Sequence, residues 1–310
     1  MDRRGFVRTA AILPAATIAG LKKVPGPLRA QTAPVRSGGA FLKLSCNLYS
    51  FNDLLQSGEM TLDDVIEFCA TLNFAAVDPT AYYFPGYPAV PDDSYLYAIK
   101  RKAFLLGLDI SGTGVRNDFT VPGNDRRAAE VNLVKRWIEC AARLGAPVLR
   151  VFSGPGVPAG YSRDEVTPWV IDCLRQCAGH GSKFGVMPVL QNHADFIRNA
   201  DDVITIMKGV DSAWLGLHLD IGSFRQTEDP YEEIARLAPY AVTWQIKENL
   251  FVGGKEVRTD LGKIVAIIRS AGYRGYLPLE TLGKGDPRVK VPRFLEEVRQ
   301  AVGPTGLSGA

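Results

Sequence analysis

The sequence predicts a single-domain α/β chain closed into a (β/α)8 TIM barrel. Three observations predict it. Short apolar runs alternate with helical patterns from Phe41 onward. Their starts lie roughly 30 to 40 residues apart, the length of one βα unit. No Gly-rich phosphate turn follows any of the runs, which argues against an open dinucleotide-binding sheet. Length agrees: with the first thirty or so residues set aside, roughly 270 remain, the usual size of such a barrel.

The chain opens on Arg3-Arg4-Gly5-Phe6-Val7-Arg8, followed by an apolar stretch from Thr9 to Leu21 and by Leu28-Arg29-Ala30. The paired arginines, the Phe two residues later and the small residue before Gln31 resemble a twin-arginine export signal. Residues 1–30 are therefore expected to be a signal peptide read by the Tat export machinery, and the protein to be periplasmic or secreted. The other reading is a basic amphipathic start of a cytosolic protein. Residues 31–40 read as a flexible linker, 41–303 as the barrel and 304–310 as a C-terminal tail.

Eight strands are expected at Lys43–Leu48, Ala75–Asp78, Leu108–Val115, Pro147–Phe152, Gly185–Gln191, Leu215–Asp220, Ala241–Ile246 and Gly275–Glu280. Most are apolar on both faces, as strands of a covered parallel sheet are. Pro188 and Pro278 sit inside two of them and count against those two, because proline donates nothing to a ladder. Helix starts are legible at Thr61, at Asn124 or Asp125, at the Ser162/Glu165 capping box and at Asp260. Gly145 and Gly272 are expected stops.

Composition narrows the function. The net charge is +3, but residues 1–30 carry six Lys/Arg against Asp2 alone. Without them Lys+Arg falls from 36 to 30 and Asp+Glu from 33 to 32, leaving −2. A nucleic-acid surface needs a basic stripe, so no nucleic-acid partner is expected. No apolar run reaches the ~20 residues that span a bilayer, so no permanent membrane span is expected. Five cysteines, without a CxxC, read as buried thiols; Cys173 and Cys177, four apart on a helix, leave a metal pair as the alternative.

Barrel chemistry lies where strands end. The fifth strand ends Gln191-Asn192-His193, the sixth His218-Leu219-Asp220, the seventh Gln245-Ile246-Lys247 and the eighth Leu279-Glu280. Side-chain alternation gives Gln191 and His193 one parity, as it does His218 with Asp220 and Gln245 with Lys247. Asp220 and Glu280 are expected to meet in the mouth with Gln191 and Gln245 beside them. Two carboxylates and two amide carbonyls suit a hard divalent cation such as Mg2+ or Mn2+. The alternative is a metal-free network in which Lys247 and Arg150 neutralise the acids. His193, directly after its strand, reads as a site residue; His218 reads as a core histidine and His180 as solvent-exposed. Tyr82-Tyr83-Phe84 with Tyr87 reads either as an aromatic wall that stacks on a bound substrate or as a packed loop. Asp78, Arg150 and Tyr83 are candidate substrate-binding residues.

Leu190-Gln191-Asn192-His193, Leu219-Asp220-Ile221-Gly222-Ser223-Phe224 and Gly275-Tyr276-Leu277-Pro278-Leu279-Glu280-Thr281, with Gly107–Thr113 and Asn117-Asp118-Phe119, resemble the sugar phosphate isomerase/epimerase superfamily of xylose isomerase-like barrels. The likeness covers about residues 41–300. It implies a small-molecule carbohydrate substrate and one divalent ion (Mn2+, Mg2+ or Zn2+) held by Glu, Asp, His and Glu. Asp220 and Glu280 match that set; Gln191 and Gln245 stand where the first Glu and the His are expected. A Gln in place of an anionic ligand would leave a bound ion a stronger Lewis acid toward a carbonyl. His193 is then the expected proton-abstracting base, with Glu280, and Lys247 is expected either to hold the alkoxide or to repel a competing cation. Members of the family often self-associate, so an oligomer is compatible with the resemblance.

Three functions are thereby in play. One is a metal-dependent isomerase or epimerase that abstracts a proton next to a carbonyl of a sugar or keto-sugar. A second is a 3-keto-glycoside lyase of the same fold. A third is a non-catalytic periplasmic carbohydrate-binding barrel, suggested by the two Gln at ligand positions. An endonuclease IV-type DNA-repair activity, also found on this fold, needs more metal-binding side chains than three histidines allow.

Overall fold

The computed structural model describes Pro34 and residues 36–193 and 196–303. The expected signal peptide 1–30 and tail 304–310 lie outside the described residues, as do the first residues of the expected linker.

Strands β1 (Phe41–Asn47), β2 (Ala76–Asp78), β3 (Asp109–Ile110), β4 (Thr113–Gly114), β5 (Val148–Val151), β6 (Met187–Gln191), β7 (Gly216–Asp220) and β8 (Ala241–Lys247) belong to one parallel sheet. Next come β9 (Asn249–Val252) and β10 (Lys255–Arg258), which form a separate antiparallel hairpin, before β11 (Arg274–Glu280) returns to the main sheet. The spatial order is β3-β2-β1-β11-β8-β7-β6-β5-β4. Its two ends are consecutive in the chain, so the sheet closes into the expected (β/α)8 barrel.

Closure runs through the third stave. The expected strand Leu108–Val115 is broken in two: β3 pairs with β2, and β4 pairs with β5. The break falls at Ser111-Gly112, where a Cβ on Gly112 would sit 2.9 Å from the Val148 side chain. Only a glycine lets the backbone pass that close to β5.

Pro188 and Pro278 are both inside strands, contrary to the doubt they raised. Each lies one residue before its strand's second ladder begins: β6 meets β7 from Val189, and β11 meets β8 from Leu279. A missing N–H there removes no ladder bond.

Helices α1 (Asn52–Ser57), α2 (Leu62–Thr71), α3 (Asp93–Leu105), α4 (Asn124–Leu144), α5 (Arg163–Phe184), α6 (Ala200–Val210), α7 (Pro230–Leu237), α8 (Leu261–Ser270) and α9 (Pro287–Val302) cover the strands. Their ends follow local chemistry. Thr61 and Ser162 make full capping boxes with Asp64 and Glu165, Asp260 accepts the Lys263 N–H, and Gly145 closes α4 in the left-handed region. α2 buries Leu62, Val65, Ile66 and Cys69 along one stripe. All five cysteines are buried and without a disulfide, and Cys173 and Cys177 lie among the buried residues of α5. At the other end of the barrel the expected linker is anchored: the Arg36 guanidinium donates to the Ala271 and Ala241 carbonyls and lies over the Tyr273 ring.

Two glycines of α5 face opposite fates. A Cβ on Gly181 would lie 2.2 Å from the Val186 carbonyl oxygen, whereas one on Gly179 meets nothing within 4 Å. Gly181→Ala is expected to destabilise the fold by about 1–3 kcal/mol through overpacking of α5 on β6. Gly179→Ala is expected to be neutral or stabilising by up to ~1 kcal/mol. Urea unfolding of the two variants measures the contrast.

Candidate active site

A cavity of about 700 Å³ opens at the ends of the strands. Asn47 lines it from β1, Arg150 from β5 with Phe152 just after it, Gln191 from β6 with His193 just after it, Gln245 and Lys247 from β8, and Glu280 from β11. Register explains the gathering, because paired residues of a parallel sheet share a face. Gln191 pairs with His218, Asp220 with Gln245, and Lys247 with Glu280.

Asp220 is the hub. It is fully buried, and its Oδ2 accepts from Gln191 Nε2 at 2.7 Å, Ser223 Oγ at 2.8 Å and Lys247 Nζ at 2.9 Å. Its Oδ1 accepts the Gly222 N–H at 2.9 Å. The Asn192 side chain extends the ladder by one rung, donating to the Asp220 carbonyl at 2.9 Å and accepting its N–H at 2.7 Å. Lys247 Nζ also reaches Glu280 Oε2 at 3.2 Å.

The charges follow from these contacts. Burial works to raise the Asp220 pKa, but Lys247, Ser223 and the Gly222 N–H outweigh it and hold the carboxyl below its ordinary range. Burial likewise works against the Lys247 ammonium, and Asp220 and Glu280 override it, holding it protonated above its ordinary value. With Asp220 ionised, Gln191 must present its NH2 to it. The Gln245 atom 3.1 Å from that NH2 must then be the carbonyl oxygen, and His218 Nε2, 2.8 Å from the same oxygen, must carry a proton. Burial pushes the His218 pKa down to about 4, so the ring is neutral. His218 is the core histidine that was expected.

The expectation that both Gln carbonyls offer free ligand oxygens is corrected by this network. Gln191 turns its NH2, not its oxygen, toward Asp220, and Gln245 Oε1 already accepts two hydrogen bonds. Among the described residues no group of three or more His, Cys, Asp and Glu is placed to hold a metal ion. Gln191, Asp220, Gln245 and Glu280 do meet, but the donor set as arranged does not fit a divalent ion: Asp220 Oδ2 and Gln245 Oε1 already accept hydrogen bonds, and an ammonium stands between the two acids.

Other candidates divide. Arg150 lines the cavity, donating to Tyr82 OH at 2.9 Å and the Val115 carbonyl at 2.7 Å, with its guanidinium over Phe152. His193 lines it too, edge-on to Phe152. Tyr83 does not: its hydroxyl turns away to Asn52 Oδ1 at 3.0 Å, and Tyr82 faces the cavity instead. The aromatic loop is thus both things at once, since Phe84 and Tyr87 pack against Trp137 while Tyr82 forms wall. Asp78 does not line the cavity either; its carboxylate accepts from Asn47 Nδ2 at 3.1 Å. His180 is half-buried rather than exposed, bonded to Glu139 and stacked on Phe184. Sequence reasoning missed Asn47, Tyr49, Arg116 and Arg225 in the lining.

Asp78 carries a measurable consequence. Burial raises its pKa to about 6, with Arg150 opposing and Glu280 reinforcing. The folded state therefore holds this proton more tightly than the unfolded chain, whose carboxyl titrates near 4. The stability it confers is fully present below that value and lost as pH rises through about 6. Relative to Asp78→Asn, the wild-type protein is expected to lose about 3 kcal/mol between pH 4 and pH 8. Urea titrations of both proteins across that range measure it; a difference independent of pH would contradict it.

Comparison with known proteins places this geometry. The family model described as xylose isomerase-like TIM barrel matches residues 66–298. A D-psicose 3-epimerase solved with D-fructose aligns over 84% of this chain and 96% of its own, at 16% identity and TM-score 0.67. A D-psicose 3-epimerase from Clostridium cellulolyticum H10, solved with D-tagatose, covers 85% and 93% at 15% identity and TM-score 0.66. The 3-keto-D-glucoside 4-epimerase of E. coli covers 84% and 99% at 14% identity and TM-score 0.64. A comparison with curated proteins finds no match. At these identities the structural likeness concerns the fold, and the family match over most of the barrel settles membership: the chain belongs to the xylose isomerase-like TIM barrel family.

Proposed function

We propose that this protein is a sugar isomerase/epimerase-like enzyme that moves a proton on the carbon beside a carbonyl of a sugar or keto-sugar. One observation carries the reading: Glu280 and His193 both face the cavity from staves three apart in the order β11-β8-β7-β6. In an eight-stave barrel they approach a bound substrate from different sides, as removal and return of a proton on opposite faces require. Glu280 Oε2 pairs with Lys247 and the carboxylate lines the cavity, where it can take up the proton. Tyr82, Phe152 and Arg150 supply the mixed aromatic and cationic wall that a polyol with a carbonyl would need.

The ketohexoses and the 3-keto-glucoside for which the structural neighbours are named support the same class for this chain. A β-elimination on a 3-keto-glycoside would begin with the same proton abstraction, and product analysis separates the two. The proposal also makes the protein periplasmic or secreted, supported by Arg3-Arg4 and the apolar stretch Thr9 to Leu21.

Proton exchange in D2O, followed by NMR on a panel of ketohexoses and 3-keto-glycosides, tests the chemistry. The wild-type protein is expected to exchange the hydrogen beside the carbonyl. Glu280→Gln and His193→Ala are each expected to slow the exchange by about 10²-fold or more. Full exchange in both variants would remove the proposal. Calorimetric binding of a sugar with no exchange in wild type would favour the carbohydrate-binding barrel.

A further inference from the structure

We propose that the Lys247 ammonium is the resident cation of this site, standing where a divalent ion would be held, and that the protein works without such an ion. Three independent features of the chain build the position.

The first is the contact set. Nζ lies 2.9 Å from Asp220 Oδ2 and 3.2 Å from Glu280 Oε2, bridging the two carboxylates that would anchor a metal. Asp220 Oδ2 already has three donors, and an ion bridging it to Glu280 Oε2 would have to take the place of the lysine. A divalent cation beside a fixed ammonium in a buried site is repelled, and the repulsion is strong where water is scarce.

The second is the amide pair. A metal takes oxygen or unprotonated nitrogen, never an N–H. Gln191 turns its N–H toward Asp220, and Gln245 Oε1 is occupied by Gln191 and His218. The pair is wired to hold a carboxylate and a neutral imidazole in place.

The third is Gly222. Its backbone is not in the left-handed region, so no conformational reason demands glycine. A Cβ there would lie 2.6 Å from Lys247 Cδ. The missing side chain is the passage through which the lysine stem reaches Asp220.

An ammonium has three N–H donors, and two are spent on Asp220 and Glu280. Lys247 lines the cavity, and the third is open to a substrate oxygen. The step, which rests on the reading under Proposed function, then balances without redox change. Glu280 or His193 takes the proton from carbon, and the C–H electron pair becomes the C=C bond. The carbonyl π pair moves onto oxygen, where the Lys247 N–H holds the enolate; reprotonation at carbon reverses each movement.

Calorimetric titration of the wild-type protein with MnCl2, MgCl2 and ZnCl2 tests the cation directly and needs no substrate. No saturable one-per-chain binding is expected. Binding of about one ion per chain that Asp220→Ala abolishes would overturn the proposal. In the D2O exchange assay the wild-type rate is expected to be indifferent to EDTA and to added Mn2+. Lys247→Met is expected to lower it by about 10²- to 10³-fold, the usual loss on removing one oxyanion donor. An EDTA-sensitive rate restored by Mn2+, or full exchange in Lys247→Met, would overturn it. If no sugar exchanges in wild type, the functional reading fails, and the calorimetry still decides whether the site takes an ion.

Discussion

The ion triad Asp220–Lys247–Glu280 is the constraint on which the mouth of the barrel depends. Three charges are held in a site where Asp220 is fully buried and Glu280 nearly so. Each would be costly alone, and removal of any one would leave an uncompensated charge behind. The surrounding polar groups are organised by that need. Gln191, Ser223 and the Gly222 N–H serve Asp220, Asn192 fixes its backbone, and Gln245 and His218 are oriented in turn by Gln191. One ionised carboxylate thus sets the direction of both glutamine amides and the tautomer of the imidazole beside them.

The barrel supplies the precision. β7, β8 and β11 are neighbours in the sheet, and their register sets Asp220 beside Gln245 and Lys247 beside Glu280. Closure at Ser111-Gly112 matters for the opposite wall. Gly114 pairs with Arg150, and a Cβ on Gly114 would meet its guanidinium within 2.8 Å. A buried arginine lies flat against the backbone there, with Tyr82 and Phe152 around it, and gives the cavity a second fixed cation facing the triad's side of the barrel.

Much of this was legible in the sequence, and the failures are instructive. Period and caps fixed the helices, because Thr61, Ser162, Asp260 and Gly145 act through bonds to residues three or four away. The polar strand ends pointed to Gln191, Asp220, Gln245 and Glu280, since alternation along a strand is local. What stayed hidden depends on contacts between strands. Whether Lys247 repels an ion or replaces it is decided by a path past Gly222, which no spacing reveals. Tyr82 rather than Tyr83 faces the cavity because a 3-10 turn at Ala81–Tyr83 rotates neighbouring rings apart. Asp78, taken for a substrate ligand, is held away from the cavity by Asn47, a partner thirty-one positions distant. The residues missed altogether, such as Arg116 and Arg225, sit in loops whose course is set by the whole barrel.

The most direct test of the central claim is a crystal structure of the protein grown with MnCl2, with data collected at the manganese edge. The account predicts Lys247 Nζ in hydrogen-bonding distance of both Asp220 and Glu280, with no anomalous peak between the two carboxylates. A manganese peak there, with the lysine side chain swung away, would contradict it.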